Sequence, residues 1–397
     1  MHNLTKIRVY RIMLYLVYPL ALVFVWPYAL LIRKKKARLF FLFDRYAIGG
    51  AQRIYLDVLK SVEDQPKQIF FTRSSVDTSL KQSFFETPNA EVRDIHTSCE
   101  NLFLRLFTIH FYAFYLNRHK NAHVFSSNST FFYDMLPFLS SSLTTTELFH
   151  NFAHNKHGME FFGLANHRYL NYRFIYDNYT LNNIRKQYKE YQVPDVFLER
   201  IVFIEPGVTI PPSLNKNYQI PLKILYAGRG GIQKRVWILN AVIREIVSRN
   251  LPVEFYFAGT MQEDLDAFAK DHSTIYGPLH TEGEMYDAYE KAQVLILTSQ
   301  FEGFPMVIKE SMACGCIPLV TALEGNKMHL EHLKNALLIE NIIDEKSVAD
   351  QAINHIQFLL ERPDELERLS VACFQYAATN FDRERFYRDC RALLTKQ

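Results

Sequence analysis

Two glutamates in the C-terminal half of the sequence have a type and spacing suited to binding a phosphorylated, hydroxyl-rich ligand. Glu302 and Glu310 are separated by seven residues in LTSQFEGFPMVIKESMACGCIP (297–318), which predicts a strand end, a turn and a helix. Pro305 suits the first turn of that helix, and Gly315 suits its end. Free N–H groups at a helix N-terminus bind anions, and carboxylates accept hydrogen bonds from sugar hydroxyls. The stretch therefore predicts a nucleotide-sugar site.

A glycine-rich turn supplies cations for the same kind of ligand. The sequence YAGRGGIQKR (226–235) carries Arg229 and Lys234 directly after a predicted strand. Glycines let a backbone approach a phosphate, and two cations can neutralise a diphosphate leaving group. A solvated surface turn is the plain alternative, which the presence of the Glu302–Glu310 helix in the same half disfavours. The turn is not a Walker loop, because no GxxxxGK[ST] pattern occurs.

A glycine pair near the start of the chain marks a second strand-to-helix switch. Gly49 and Gly50 fall between a predicted strand at 39–43 and a predicted helix at 51–59. Such switches are where α/β sheets bind ligands, although a glycine pair alone is a weak signal.

A cluster of histidines follows another predicted strand, at 143–149. The sequence FHNFAHNKHG places His150, His154 and His157 in the loop after that strand. Because such a loop lies at the carboxyl edge of the sheet, we expect His150 to contact the sugar, as a base or a polar orienter. The alternative is that these are ordinary polar loop histidines.

Strands alternate with helices in both halves of the sequence, which predicts parallel sheets covered by helices. The expected strands are 39–43, 68–72, 123–126, 143–149, 174–178, 201–208, 223–227, 253–258, 274–276, 294–298, 317–320 and 336–339. The expected helices are 51–59, 80–85, 101–118, 131–139, 181–191, 233–248, 263–270, 284–291, 347–360, 363–379 and 382–394. A Pro- and Asn-rich linker at 209–221 separates domains at 37–208 and 222–380, and 381–397 forms a final helix.

The first 36 residues predict a membrane-anchoring segment. Residues 12–32 are uncharged and apolar, close to the roughly 20 residues that span a bilayer core. Lys6, Arg8 and Arg11 precede them, and a basic run at 33–38 follows. A single span, a proline-broken re-entrant or interfacial helix, and a buried helix of the folded domain are the three alternatives. The basic bias places the following domain in the cytoplasm.

Composition excludes several classes of protein. The 397 residues are 48% hydrophobic and 22% charged, as in a folded chain, and the net charge of +3 is too small to indicate nucleic-acid binding. The five cysteines predict no disulfide framework and no zinc site, which favours a reducing, cytosolic compartment.

These motifs resemble those of GT-B glycosyltransferases of family four, the retaining group with an E-x(7)-E motif. GRGGIQKR resembles that family's diphosphate loop, and SQFEGFPMVIKESMACGCIP resembles its motif helix. The resemblance is strong over 201–340 and weaker over 38–200. Arg235 departs from it by replacing the usual glycine after the lysine, and Gln52 by replacing a frequent acidic residue.

The resemblance implies an α/β fold with two Rossmann-like domains facing across a cleft (GT-B), preceded by the N-terminal apolar membrane helix. It implies that Arg229 and Lys234 hold the donor diphosphate, Glu302 the sugar and Glu310 the ribose hydroxyls. His150, Arg229, Lys234 and Glu302 are then the expected catalytic residues. The expected donor-binding residues are Gly49, Gly50, Arg229, Lys234, Gly277, Leu279, Glu302, Gly303, Phe304, Pro305 and Glu310.

The implied reaction is transfer with retention, without a metal or a cofactor, the nucleoside-diphosphate sugar being the donor substrate. With the apolar segment, this predicts a transferase acting on a lipid-linked or envelope glycan, such as lipopolysaccharide or capsule, at the cytoplasmic face of the bacterial inner membrane. Two alternatives remain open from the sequence: a nucleotide-sugar epimerase of the same fold, and a non-catalytic, membrane-tethered sugar-binding protein.

Overall fold

Two parallel sheets organise the chain, one in each of its two structural units. A computed structural model describes residues 3–32, 36–47, 50–150, 152 and 158–396. Unit 1 comprises residues 1–176, 180–205 and 386–397, and unit 2 comprises residues 177–179 and 206–385.

The sheet of unit 1 has seven strands in the order β3-β2-β1-β4-β5-β6-β7. Every pairing is parallel. The inner strand LFFLF (39–43) is buried along its whole length, because helices cover both faces of such a sheet. The strands are β1 (Leu39–Phe43), β2 (Lys67–Phe71), β3 (Ala90–Asp94), β4 (His123–Ser127), β5 (Thr144–Leu148), β6 (Tyr172–Ile175) and β7 (Ile201–Phe203).

Helices pack on both faces of this sheet and enclose a separate apolar core on each. They are α1 (Asn3–Phe24), α2 (Trp26–Leu31), α3 (Gly50–Lys60), α4 (Lys81–Phe85), α5 (His96–Glu100), α6 (Leu102–Asn117), α7 (Thr130–Met135), α8 (Glu160–Asn166) and α9 (Asn178–Glu190). By length and composition alone, Leu4–Phe24 could cross a membrane.

The sheet of unit 2 repeats the same plan with six parallel strands, in the order β10-β9-β8-β11-β12-β13. Its strands are β8 (Leu222–Arg229), β9 (Val253–Thr260), β10 (Ser273–Gly277), β11 (Val294–Leu297), β12 (Ile317–Thr321) and β13 (Leu337–Ile339). Its helices are α10 (Ile238–Ser248), α11 (Ala267–Asp271), α12 (Glu282–Lys291), α13 (Met306–Ala313), α14 (Glu324–Lys327), α15 (Glu345–Glu361) and α16 (Pro363–Asn380).

A final helix, α17 (Arg383–Thr395), returns the chain to unit 1 from Phe386 onward. Phe386, Cys390 and Leu393 are buried in one core of unit 1. Arg391 forms a two-pronged ion pair with Asp64, with nitrogen–oxygen distances of 2.6 and 2.7 Å.

The strand order positions the two C-terminal motifs next to each other. In unit 2 the order reverses between β8 and β11, whose register pairs Val294 with Ile224. Loops at the carboxyl ends of two strands that flank such a reversal diverge and leave a crevice, where doubly wound sheets bind ligands. The glycine-rich turn follows β8, and the Glu302 loop follows β11.

The structure corrects several predicted boundaries. The predicted helix at 233–248 begins only at Ile238, because residues 232–237 form turns. The predicted helix at 263–270 is a 3-10 turn followed by α11, and the predicted strand at 174–178 ends at Ile175. The elements β3, α5, α8 and α14 were not predicted, because they are short or carry mixed polar residues.

Candidate functional site

Hydrogen bonds join the glycine-rich turn to the loop after β11. Gln300 donates its backbone N–H to the carbonyl of Gln233 at 2.8 Å, and the Gln233 amide donates to the carbonyl of Phe301 at 3.0 Å. The Thr298 hydroxyl donates to the carbonyl of Arg235 at 3.0 Å. The two motifs, about seventy positions apart in the chain, therefore form one structural feature.

Lys234 and Glu302 meet at the centre of this feature. The Lys234 ammonium forms an ion pair with one carboxylate oxygen of Glu302, and both side chains are largely shielded from water. The buried Tyr226 donates its hydroxyl to the carbonyl of Arg229 at 2.6 Å. Burial, with the Glu302 carboxylate nearby, raises the pKa of Tyr226 well above its usual range. The phenol therefore stays protonated, and its hydrogen bond supports the glycine-rich turn.

The Arg229 guanidinium is exposed at the end of β8. Within the part of the chain that the structure describes, it forms no ion pair or side-chain hydrogen bond. A planar cation with five unused donors can bind two oxygens of one phosphate group side by side. Of the two predicted cations, Arg229 is thus available to a ligand, whereas Lys234 is held by Glu302.

Arg235, which stands where the resembled family usually has glycine, is buried and structural. Its backbone adopts φ +50°, a left-handed conformation that favours glycine. Its guanidinium donates to three backbone carbonyls, those of Thr298 at 2.9 Å, Ile342 at 2.9 Å and Ser299 at 3.4 Å. These bonds explain how an arginine replaces glycine here: it ties the turn to the loop after β11.

Gly325 holds the Glu302 loop from the other side. A Cβ atom at Gly325 would lie 1.7 Å from the carbonyl oxygen of Gly303 and 3.1 Å from that of Glu302. Only a glycine lets the start of α14 approach that backbone so closely. Gly325 was not predicted as a site residue, because its role depends on the adjacency of the loops after β11 and β12.

Helix α13 carries the second glutamate of the motif into the interior of unit 2. Pro305 precedes the first helical residue, Met306, and Gly315, at φ +64°, follows the end of the helix. Glu310 is 5% exposed, and the Tyr289 hydroxyl donates to its Oε2 at 3.0 Å. A buried carboxylate with a fixed hydrogen bond has a defined orientation, as a selective acceptor for ligand hydroxyls requires.

The ring of Phe304 fixes the loop between the two glutamates. It is buried against Phe381, with ring centroids 5.6 Å apart, and the Lys309 ammonium lies 5.6 Å from its centroid. Lys309 itself is buried and donates to the carbonyl of Pro206 at 3.0 Å. The loop's conformation is thus set by packing before any ligand binds.

Gly277 ends β10 and Leu279 lies just after it, two strands from β8 in the same sheet. Two strand spacings are about 10 Å. Gly277 has φ +73°, and no atom lies within 4 Å of the position that a Cβ would take. Leu279 packs against the core of unit 2. The two residues therefore lie at the carboxyl edge but beside, not within, the feature formed by the turn and the Glu302 loop.

In unit 1, His150 follows β5 and is buried, with 6% of its surface exposed. Its Nδ1 lies 3.1 Å from the Tyr176 hydroxyl, and its ring lies 5.5 Å from that of Tyr55. Burial lowers the pKa of His150 to about 3, so the ring is neutral near pH 7. Such a ring is a poor general base, because it holds a proton weakly, but it can form hydrogen bonds. Gly50 begins α3, whereas Gly49, His154 and His157 lie outside the described residues.

His150 belongs to a polar cluster that the sequence analysis did not anticipate. Four of its members come just after β1, β4, β5 and β6, at the carboxyl edge of the sheet, and the fifth, Tyr55, lies in α3. Asn128, at φ +54°, donates to the Tyr55 hydroxyl at 3.0 Å. Burial raises the pKa of the Asp44 carboxyl from its usual value. Polar residues directly after strands were the available signal. The cluster comprises Asp44, Tyr55, Asn128, His150 and Tyr176.

Among the residues that the structure describes, no group of three or more His, Cys, Asp or Glu side chains is arranged as a metal site would be. All five cysteines are buried and free of disulfides.

The residues of this site lie in a stretch that is similar to a known protein family. Residues 221–358 match the family described as "Glycosyl transferases group 1", and the matched stretch lies entirely within unit 2. It contains the glycine-rich turn, both glutamates and Gly325. No curated protein matches the sequence significantly.

Solved structures with the same two-sheet GT-B fold are similar over nearly the whole chain. One is Anabaena HepE in complex with UDP and glucose, at 14% identity and a TM-score of 0.69, covering 91% of this chain and 100% of that one. A glycosyltransferase from Rickettsia africae is 12% identical, with a TM-score of 0.66 and coverages of 91% and 100%. The lipopolysaccharide outer core galactosyltransferase WaaB is 17% identical, with a TM-score of 0.61 and coverages of 86% and 99%. At these identities the likeness establishes the fold.

Proposed function

We propose that this chain is a retaining glycosyltransferase of GT-B family four. It moves a sugar of hexosyl type from a nucleoside-diphosphate sugar to a lipid-linked or envelope-glycan acceptor at the cytoplasmic face of the bacterial inner membrane. The observation that carries this proposal is the joining of the Arg229–Lys234 turn to the Glu302 loop at the switch point of unit 2. The family match of residues 221–358 supports it.

The donor diphosphate is the natural ligand of the two cations. Arg229 is exposed and unpaired with any described carboxylate, and Lys234, five residues further along the chain, is paired with Glu302. Positive charge placed where negative charge develops on the leaving diphosphate lowers the barrier of transfer. Helix α10 begins beyond Lys234, so the cations, not the first amides of that helix, are the groups we assign to the phosphates.

The two glutamates bind hydroxyls in this proposal. Glu302 pairs with Lys234 through Oε1, and its second oxygen can accept a hydrogen bond from the transferred sugar. Glu310, oriented by Tyr289, binds the ribose hydroxyls. Neither serves as the acid/base pair of a glycosidase, which needs two carboxyl groups facing the scissile bond.

The transfer step needs no protein base. The acceptor oxygen forms a bond to the anomeric carbon while the bond from that carbon to the phosphate oxygen breaks, and the electron pair stays on the diphosphate. The acceptor proton passes to the leaving phosphate oxygen on the same face, which gives retention. The low pKa of His150 agrees with this scheme, since the ring then serves as a polar contact and not as a proton acceptor. We propose no metal and no cofactor for the step.

Binding of UDP and 2′-deoxy-UDP tests the donor site. If Glu310 holds the ribose, removing the 2′-hydroxyl weakens binding to the unmodified protein by about tenfold, the cost of a lost hydrogen bond to a charged group. In the Glu310→Ala variant the two nucleotides then bind equally. Discrimination that survives Glu310→Ala would assign the ribose contact to another residue.

Turnover of a panel of sugar nucleotides tests the reaction class. Transfer should retain the anomeric configuration of the donor, as read from the anomeric proton of the product by NMR, and should continue in EDTA. Lys234→Ala should abolish turnover, whereas Lys291→Ala, at the exposed end of α12, should not. An epimerised free nucleotide sugar would indicate the epimerase instead, and sugar binding without turnover would indicate the non-catalytic protein.

A further inference from the structure

The N-terminal helices are built into unit 1 along one stripe. Ile7, Leu14, Ala21 and Ala29 recur every seven or eight residues, and all are buried. This spacing keeps one side of α1 and α2 against the domain. A helix that merely tethers the domain to a membrane would show no such stripe.

Three polar contacts connect α1 and α2 to the rest of unit 1. The Arg11 guanidinium donates to the side-chain oxygen of Asn166 at 2.7 Å. The buried ring of His110 bonds to the carbonyl of Leu14 at 3.1 Å. Arg118 donates to the carbonyl of Ile32 at 2.8 Å, at the end of α2. The helix pair is therefore an integral layer of unit 1 along its length.

The opposite side of α1 and α2 is apolar although it is exposed. Leu16 and Phe24 are 72% and 70% exposed. The outer side of a helix on a water-facing surface normally carries charged and polar residues. A contiguous apolar patch of this kind marks an interaction surface. The exposed apolar residues of the two helices include Ile12, Met13, Leu16, Leu20, Val23, Phe24, Tyr28, Leu30 and Leu31.

The start of α6 extends this surface. Leu102 and Phe103 are 77% and 69% exposed, and the Phe103 ring lies 5.5 Å from that of Phe107. Phe107 and Tyr28 line opposite sides of a groove of about 330 Å³ between α2 and α6. The groove makes the two exposed apolar areas continuous, although their residues are some seventy positions apart in the sequence. We call the exposed apolar residues of α1, α2 and the first turn of α6 the apolar face.

The residues around the apolar face carry positive charge, which favours an anionic membrane surface as its partner. The first 43 residues contain no acidic residue. Lys6 and Arg8 are exposed near the start of α1, and Lys36 and Arg38 are exposed after α2. Basic residues beside an inserted apolar surface attract anionic phospholipid headgroups. Positive charge at both ends of the helix pair fits a helix whose two ends lie at the same membrane surface.

We propose that the apolar face docks into one leaflet of an anionic phospholipid bilayer, with α1 and α2 lying along the surface and not crossing it. Leu102 and Phe103 enter the same leaflet as a second point of insertion. This deepens the membrane location in the proposed function, and it is tested without any sugar donor, so a failure of sugar transfer does not affect it.

Co-sedimentation of the full-length protein with vesicles tests the docking. The protein should bind phosphatidylcholine vesicles that contain phosphatidylglycerol. Binding should be weaker to vesicles of pure phosphatidylcholine, and weaker at high salt concentration. Phe103→Glu should weaken binding by about tenfold or more, as expected for losing one inserted aromatic ring. Val76→Glu, at a fully exposed position of unit 1, is the matched control and should bind as the unmodified protein does. Equal vesicle binding by Phe103→Glu and Val76→Glu would show that the start of α6 does not belong to the membrane-binding surface.

Depth-dependent fluorescence quenching decides between lying along the membrane and crossing it. The chain has two tryptophans, Trp26 and Trp237, so Leu16→Trp in a background with both changed to Phe gives one reporter in the middle of α1. Lipids brominated near the headgroup should quench it more strongly than lipids brominated near the chain end. The reverse order would place Leu16 at the bilayer centre and overturn the one-leaflet docking.

Discussion

The ammonium of Lys234 and the carboxylate of Glu302, 68 positions apart in the sequence, form an ion pair at the junction of the glycine-rich turn and the loop after β11. The pair means that the cation assigned to the diphosphate and the carboxylate assigned to the sugar compensate each other in the free protein. A ligand that carries both groups can engage both partners at once. A ligand with only the diphosphate has to compete with Glu302 for Lys234.

This competition predicts opposite effects of two substitutions on UDP binding. Lys234→Gln removes a phosphate ligand, so UDP should bind at least tenfold more weakly and sugar transfer should fall by about 10²-fold or more. Glu302→Gln removes the competing charge, so UDP binding should be equal or tighter although sugar transfer falls by a similar factor. Calorimetric titration with UDP and a transfer assay measure the two effects. Equal weakening of UDP binding in both variants would contradict the assignment of Glu302 to the sugar.

Gly325 offers a test of how precisely the Glu302 loop must be held. In Gly325→Ala the new methyl group would overlap the carbonyl oxygen of Gly303, so the loop has to shift. A misplacement of about 1 Å at a reacting centre can cost about 10²-fold in rate. The variant should therefore lose most transfer activity while the rest of unit 2 stays folded, as judged by circular dichroism.

Gly283→Ala is the control for this substitution. Gly283 lies within α12, and nothing lies within 4 Å of its would-be Cβ. The change should leave transfer intact and raise stability slightly, because alanine is the better helix former. If Gly325→Ala were as active as Gly283→Ala, close contact between α14 and the loop would have no role in catalysis.

Arg235 allows the backbone and side-chain contributions to be separated. Arg235→Ala and Arg235→Gly both lose the hydrogen bonds to the carbonyls of Thr298, Ser299 and Ile342, each worth about 1.5–3 kcal/mol for a charged donor. Arg235→Gly regains about 1 kcal/mol, because glycine adopts φ +50° without strain. Both variants should therefore unfold at lower urea concentration than the unmodified protein, the alanine variant first.

Asn250→Gly supplies the matched comparison for Arg235. Asn250 also has φ +50°, but its side chain is exposed. Its substitution should change the stability of unit 2 by less than about 1 kcal/mol. The unfolding of unit 2 is followed through Trp237 in a Trp26→Phe background, since Trp237 is then the sole tryptophan. An Arg235→Gly variant as stable as Asn250→Gly would show that the three carbonyl contacts contribute nothing.

Sequence patterns predicted the alternation of strands and helices well, because buried parallel strands such as LFFLF are unmistakably apolar. The strand AEVRD was missed because it lacks this apolar character: it is an edge strand, half-buried and rich in charge. Helix α10 was predicted to start too early, since nothing in QKRVW reveals that Arg235 turns the chain through a left-handed conformation.

The motif residues of unit 2 were identified from residue type and spacing, but the contacts between them were not predicted. That Lys234 pairs with Glu302, and that Gly325 supports Gly303, depends on which strands are neighbours in the sheet. A spacing of seven residues also says nothing about burial, so the enclosure of Glu310 beside Tyr289 could not be foreseen. For His150, the position in a loop after a strand was predicted from the sequence, but the lowering of its pKa by burial was not.

The buried state of His150 predicts how the stability of unit 1 depends on pH. An unfolded histidine has a pKa of about 6.5, whereas burial lowers the pKa of folded His150 to about 3. Between these values the unfolded chain binds the extra proton, so the free energy of unfolding rises with pH and its contribution is complete above about pH 6.5. At pH 5 the protein should have lost about 2 kcal/mol through this one ring. His123, whose pKa burial lowers to about 4, adds in the same direction.

The His150→Asn variant isolates this term, because asparagine can accept or donate a hydrogen bond toward Tyr176 but does not titrate. Urea unfolding of unit 1 is followed at pH 7 and pH 5 through Trp26 in a Trp237→Phe background. The difference in unfolding free energy between the two pH values should shrink by about 2 kcal/mol in His150→Asn. It should stay unchanged in His280→Asn, an exposed position of unit 2. A pH dependence as steep in His150→Asn as in the unmodified protein would mean that the folded ring keeps an ordinary pKa. His150 would then again be available as a proton acceptor in the reaction.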